Sequence, residues 1–411
     1  MIYNENDAVF YWLWLVDVFG PGNNRIWEVL SHFDNDPIAT YKALQKKDCK
    51  YITKNEYKAV CNTFLESMFD LMDYCNSNNY IVISIDDERY PRRLREIFNP
   101  PAILFCMGDP SFINNEVVLT VVGTRKPSDY SMKFARKICT ELVSSGVVLA
   151  SGFALGIDSA AHRAALKANS RTVAVLGCGL DVDYPSENAK VKKIIAVRGA
   201  VITEFFPGTR PEGKNFPQRN RILSGISLGT LVVEASQRSG ALITADFAMN
   251  QGRDVFCVPP ADLFDQRYAG VIRLIREGAI PTFSHLDVLF EYYENFSHKL
   301  VSVNPFSDYS AGDEFFNEKP HRVSENKAKE HPENEIKTDT ENNISKEKVF
   351  DFSGYNDIQK GIIIVLQKGG SLTPDEISAL IGRDISSVLS ELTELEMNGD
   401  IVKNPGQRYS V

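Results

Sequence analysis

The sequence predicts an α/β protein: a doubly wound, mostly parallel sheet, preceded by a small helical segment and followed by a winged-helix module. Three observations carry this. Between Glu116 and about Phe290, short branched-aliphatic runs alternate with helical stretches, as expected of strands covered by helices on both faces. After Ser297 the composition turns to Glu, Lys, Asn, Ser and Thr, and a compact apolar pattern resumes only near Tyr355. At 411 residues with 43% hydrophobic content, the chain has room for two to four domains with buried cores.

Residues 1–79 read as helical, with Val9, Trp12, Leu13, Val16 and later Ile26, Val29 and Leu30 spaced for buried faces, broken at Phe19-Gly20-Pro21-Gly22. The Gly-Pro-Gly break resembles the turn of helix-hairpin-helix (or SAM-like) modules, whose amides can hold a phosphate; such a turn also serves simply to reverse the chain.

The core is expected over 80–297. Its lead-in contains a strand at Ile81–Ile85, then Tyr90-Pro91, Asn99-Pro100-Pro101 and Ile103-Leu104-Phe105. Arg92, Arg93 and Arg95 read as a solvated helix face paired with Glu96 and its neighbours. Further strands are expected at 117–122, 147–150, 172–176, 200–203, 230–233 and 255–258. Residues 298–354 cannot bury enough apolar surface to fold and read as a flexible linker. Over 355–411, Ile358, Ile362, Ile363, Leu366, then Ile385, Val388, Leu392, Leu395, and finally Ile401-Val402 and Tyr409 suggest three helices and a β-ribbon.

The net charge is −9, which argues against a uniformly basic nucleic-acid binder. The charge is unevenly spread. From Glu116 to Thr282 there are 21 Lys and Arg against 15 Asp and Glu, a net of +6, leaving −15 for the rest. No apolar run approaches the ~20 residues of a membrane-spanning helix. Met1 to Asp7 lacks a signal-peptide profile, so the cytoplasm is the expected location. The cysteines, Cys49, Cys61, Cys75, Cys106, Cys139, Cys178 and Cys257, form no Cys-x-x-Cys pair and read as reduced thiols rather than a disulfide or zinc framework.

In a doubly wound sheet, ligands bind where strands run out into loops. In Val122-Gly123-Thr124-Arg125-Lys126-Pro127-Ser128, two cations stand where a helix opens, which suits an anion, although Gly123 also serves the turn and Ser128 a helix cap. In Ser151-Gly152-Phe153-Ala154-Leu155-Gly156-Ile157-Asp158, two glycines permit close backbone approach to a phosphate or close helix–sheet packing. Neither the dinucleotide fingerprint nor a Gly-Lys-Ser/Thr ending is present, so NAD binding and ATP hydrolysis are not supported and no cofactor is expected. His162 reads as a packed histidine. Asp181, Asp183 and Glu187 lie in one local turn without a His or Cys partner at ligand spacing.

The segment Lys214-Asn215-Phe216-Pro217-Gln218-Arg219-Asn220-Arg221 sets an aromatic ring among three cations, a combination that holds phosphates and stacks a base. Ser239-Gly240 opens another helix suited to phosphate. Glu234 is the one carboxylate here positioned to act as a catalyst, and its bland role is to bond backbone amides or pair with an arginine.

Taken together, Gly123-Thr124-Arg125, Ser151-Gly152 with Gly156-Ile157-Asp158 and Ala161-His162, Leu176-Gly177 with Gly179-Leu180-Asp181 and Tyr184-Pro185, Phe216-Pro217 with Arg219-Asn220-Arg221, Val233-Glu234-Ala235, and Ser239-Gly240 with Thr244-Ala245 resemble the DprA (Smf) family of DNA-processing proteins. The resemblance implies a Rossmann-like core and a cytoplasmic protein without catalytic activity. It also implies binding of single-stranded DNA, protection of incoming DNA, and loading of the recombinase RecA during natural transformation, with homodimerisation through the core. Pro259-Pro260 and Tyr268 to Ile272 depart from the family pattern near its dimer and partner surfaces. The DNA-binding residues expected are Gly123, Thr124, Arg125, Lys126, Ser151, Gly152, Gly156, Lys214, Phe216, Arg219, Asn220, Arg221, Ser239 and Gly240.

Two other classes remain open. Gly229-Thr230 and Glu234 echo nucleotide-binding or nucleoside-monophosphate-cleaving enzymes, but the Pro-Gly-Gly those enzymes carry before Gly-Thr is missing. A winged-helix adaptor or regulator is the other; its presumptive recognition helix, Ser386 to Met397, carries Glu391, Glu394 and Glu396 and no Lys or Arg, which favours a protein contact over duplex reading.

Overall fold

The computed structural model describes residues 7–46, 50–300, 355–398, 400–404 and 408–410. The expected linker lies outside the described residues from 301 onward, as does Cys49. Two compact units divide at Pro320, and each is described by itself.

The first unit begins with helices α1 (Ala8–Phe19), α2 (Arg25–Leu30), α3 (Pro37–Gln45), α4 (Lys54–Asn62) and α5 (Glu66–Ser77). Asp7 caps α1, and Thr53 and Glu56 form a reciprocal capping box on α4, satisfying amides the helices leave unpaired. Nine of the twelve α1 residues are buried, because α1 packs on the other helices and on the sheet at once. Phe10, Trp12, Leu13 and Val16 share one hydrophobic cluster with Ile103, Phe105 and Ile202. The helical segment is thus built onto the core.

The sheet strands are β1 (Ile81–Ser84), β2 (Ile103–Gly108), β3 (Val118–Val122), β4 (Val148–Ser151), β5 (Thr172–Val175), β6 (Ala200–Thr203), β7 (Gly229–Val232), β8 (Asp254–Cys257) and β9 (Ile280–Pro281), in the order β1-β2-β6-β5-β4-β3-β7-β8-β9. The pairs β1–β2 and β2–β6 are antiparallel and the rest are parallel, as the doubly wound reading requires. β9 is an addition; two residues are too few for a period to be read.

The connecting helices are α6 (Arg92–Arg95), α7 (Asp129–Ser144), α8 (Ile157–Lys167), α9 (Ala189–Arg198), α10 (Asn215–Ile226), α11 (Gly240–Asn250), α12 (Ala269–Arg276) and α13 (His285–Phe296). β3 is the switch point: it is flanked by β4 on one side and β7 on the other, so the chains leaving β3 and β7 diverge and open a crevice at their carboxyl ends.

The second unit contains α14 (Asp357–Gly369), α15 (Pro374–Ile381), α16 (Ile385–Met397) and a ribbon of β10 (Val402–Asn404) with β11 (Arg408–Ser410). Its core joins Ile362, Ile363, Leu366, Ile377, Val388, Leu392, Leu395, Ile401 and Tyr409, a winged helix. No helix among the described residues is long and apolar enough to cross a membrane.

Candidate nucleic-acid interface

A cavity of about 460 Å³ occupies the switch-point crevice. Gly123, Thr124, Arg125 and Lys126 form one wall, Phe216, Arg219, Asn220 and Leu223 the second, and Ser239, Gly240, Ala241 and Thr244 the third; Ala154 and Asp158 close it. The second wall is one face of α10, since positions spaced by three, four and seven residues fall on the same side of a helix.

Arg219 is the buried anchor of this face, 5% exposed. Its Nη1 donates to the carbonyls of Gly152 (2.7 Å) and Val175, and its Nε to Asn220 Oδ1 (3.2 Å). Nη2 makes no hydrogen bond among the described residues, and Arg219 is one of the residues lining the cavity. A Cβ at residue 152 would stand 2.6 Å from this Nη2 and 2.8 Å from Asp158 Oδ2, so glycine is needed there to admit the guanidinium. Burial lowers the Arg219 pKa to about 10, which leaves it cationic at neutral pH. Burial raises the pKa of Asp158, and the attraction of Arg219 opposes that rise.

Phe216 is half-buried. A Cβ at residue 177 would come within 2.9 Å of its ring, and Tyr184 packs beside it at 5.6 Å between centroids. The Arg125 guanidinium stands 5.7 Å over the ring centroid. Arg125 and Lys126 are exposed, and neither pairs with a carboxylate among the described residues. Gly240 lies at the N-terminus of α11, where Ser239 Oγ accepts from Ala241 N (3.3 Å) and the remaining amides favour an anion.

Other expected site residues lie elsewhere. Ser151 is buried in the sheet, its hydroxyl donating to Val121 O at 2.6 Å. Gly152 stands behind Arg219, and Gly156 (φ 79°) faces a neighbouring groove. Lys214 is exposed and pairs with Glu212 at 2.9 Å. Arg221 requires correction as a phosphate ligand. It is 5% exposed and forks onto Glu204, Nη1 to Oε1 at 2.8 Å and Nη2 to Oε2 at 2.7 Å. Two residues beyond Arg219, it projects from the opposite side of α10, where a buried charge must be neutralised by the fold itself.

The N-terminus of α7 is likewise already filled. Glu234 Oε2 accepts from Ser128 N (2.9 Å) and Ser128 Oγ (2.6 Å), so a chain carboxylate sits where an anion was expected. The Gly20-Pro21-Gly22 turn packs on the core: Pro21 O accepts from Gln218 and Gly22 O from Asn99 (2.8 Å). His162 is buried; its Nδ1 lies 2.9 Å from Thr172 Oγ1, which donates to Leu149 O, and burial lowers its pKa to about 3. Asp181 accepts from Gly208 N (2.8 Å) and Asp183 pairs with Lys192. Among the described residues no His, Cys, Asp and Glu group could hold a metal.

The family model described as DNA recombination-mediator protein A matches residues 81–293, and that of the DprA winged helix domain matches residues 367–407. Protein Smf of Synechocystis sp. is 36% identical over 286 residues, covering 67% of this chain and 70% of the relative. DNA processing protein DprA of Bacillus subtilis is 40% identical over 212 residues, 52% of this chain and 71% of the relative. The X-ray structure of DNA processing protein A from Streptococcus pneumoniae superposes with a TM-score of 0.61 at 32% identity, covering 69% of this chain and 97% of that one.

Proposed function

We infer the function from one premise: this chain belongs to the DNA recombination-mediator protein A family. We propose that it binds single-stranded DNA in the switch-point cavity, shields incoming DNA, and loads the recombinase RecA during natural transformation, acting in the cytoplasm without catalysis.

The observation that carries this reading is the pairing of a half-buried aromatic face, Phe216, with Arg125, Lys126 and Arg219 around one cavity. Stacking requires an unstacked base, so single strands are favoured over duplex. An exposed cation–π contact is worth ~0.5–1 kcal/mol, and a base on an aromatic ring ~1–3 kcal/mol. A base can therefore displace Arg125 from the ring, and the released guanidinium takes a phosphate. Nucleoside-monophosphate cleavage is disfavoured, because the carboxylate it would use, Glu234, is engaged by Ser128.

Homodimerisation through the core is part of the proposal. Leu263, Phe264 and Phe283, 70%, 90% and 67% exposed, follow β8 and β9 as exposed apolar side chains, and a second copy would cover them. The test of the whole is a titration of labelled oligo-dT and matched duplex across salt. Three phosphate contacts at about 0.7 each predict a single-strand salt slope near about −2. A RecA nucleation assay on precoated single strands tests the loading step.

A further inference from the structure

A second groove of about 420 Å³ runs between α7 and α8. Ala160 and Ala164 line it on α8, and three exposed cations, Arg136 from α7 and Arg163 and Lys167 from α8, stand along it. None of the three forms an ion pair among the described residues, whereas Lys137, next to Arg136, pairs with Glu141 at 3.9 Å. Arg163 and Lys167 are one helical turn apart, about 6 Å along the axis. The groove and the cavity border the same segment after β4: Leu155 and Gly156 line the groove, while Ala154 and Asp158 line the cavity.

We propose that the α7–α8 groove carries the continuation of the DNA strand that leaves the cavity, with Arg136, Arg163 and Lys167 each meeting a backbone phosphate. The inference rests on the cavity binding that strand. Unpaired cations favour a polyanion over an apolar partner, and continuity with the cavity favours the same strand over a separate ligand. The groove holds no ring from which to stack a base, so it adds length and salt dependence rather than base preference.

The test uses the full chain and its Arg136→Ala/Arg163→Ala/Lys167→Ala variant, with Arg163→Glu as a second variant; surface changes of this kind leave stability nearly unchanged. Each is titrated with oligo-dT of about six nucleotides, enough for the cavity, and of about twenty, enough for cavity and groove. The triple variant is expected to bind the short oligomer like the wild type. It should lose about tenfold in affinity for the long one, with a salt slope shallower by about 2. Short-oligomer binding combined with an unchanged long-oligomer affinity and slope overturns the groove alone. Failure of the wild type to bind either oligomer overturns the cavity reading and the groove with it. A labelled poly-glutamate peptide, or self-association in sedimentation, that is lost in the triple variant while long-oligomer binding persists would assign the groove to an acidic polypeptide or a second copy, and overturn the proposal.

Discussion

The Arg125 guanidinium stands 5.7 Å over the ring of Phe216, joining the loop after β3 to the first turn of α10. Under the proposed function these two side chains would divide the task of the cavity, the ring meeting an unstacked base and the cations around it meeting phosphates whatever the sequence.

Behind this pair, Arg219 depends on the missing side chain of Gly152. A methyl group there would stand 2.6 Å from Arg219 Nη2, and the guanidinium cannot yield easily because Nη1 and Nε are tied to Gly152 O, Val175 O and Asn220. Gly152→Ala should cost about 1–3 kcal/mol of stability, the range for overpacking, and weaken oligo-dT binding about tenfold through a charge-assisted contact. Urea unfolding and fluorescence anisotropy check both; unchanged values in both would refute the packing argument.

Arg221 serves the fold. Arg221→Ala leaves the Glu204 charge buried without its counter-ion, with only the Gln218 amide still donating to it (3.3 Å), and should destabilise by about 3–5 kcal/mol. The apolar pair Arg221→Met/Glu204→Leu should recover most of that loss and keep the salt slope of DNA binding, as measured by denaturation and by titration at several salt concentrations. A slope shallower by about 0.7 in the double variant would restore Arg221 to the phosphate contacts.

His162 predicts a pH dependence. Its hydrogen bond to Thr172 uses Nδ1–H, since the threonine hydroxyl already donates to Leu149 O, and Nε2 is buried without a partner among the described residues. Its folded pKa of about 3 lies below the ordinary 6.5, so between these values the unfolded chain binds the extra proton. Stability is therefore full above about pH 6.5 and falls on acidification toward about pH 3, with a limiting slope of about 1.4 kcal/mol per pH unit from this group. His162→Gln should flatten that part of a plot of unfolding free energy against pH; an unaltered plot would show that the fold does not depress the His162 pKa.

The proposed dimer predicts that Leu263→Asp/Phe264→Asp, at positions 70% and 90% exposed, gives a folded monomer by sedimentation. Its affinity for a short oligomer should match the wild type. A dimer that persists would place the self-contact elsewhere on the core.

The strands of the core were legible because each is a short apolar run, and the cavity walls were legible where a glycine-punctuated loop follows a strand. The α10 wall carries a readable stripe, Phe216, Arg219, Asn220 and Leu223; read by composition instead, the segment grouped Arg221 with Arg219. What separates them is Glu204, seventeen positions earlier in the chain and adjacent only in the fold. Glu234 closing the α7 terminus and Tyr184 flanking Phe216 are likewise contacts between segments that follow different strands, which no local pattern encodes. Asp158 and Thr244 fell within recognised motifs, but their exposure to the cavity depends on how α8 and α11 are turned.

The most direct test of the account is the ratio of single-strand to duplex affinity for the wild type and for Phe216→Ala, measured by anisotropy at one salt concentration. Loss of one stacked base at ~1–3 kcal/mol predicts that the single-strand affinity of Phe216→Ala falls by about 5-fold to 150-fold while its duplex affinity is nearly unchanged, so the ratio collapses. A ratio that survives the substitution would contradict a base stacked on Phe216.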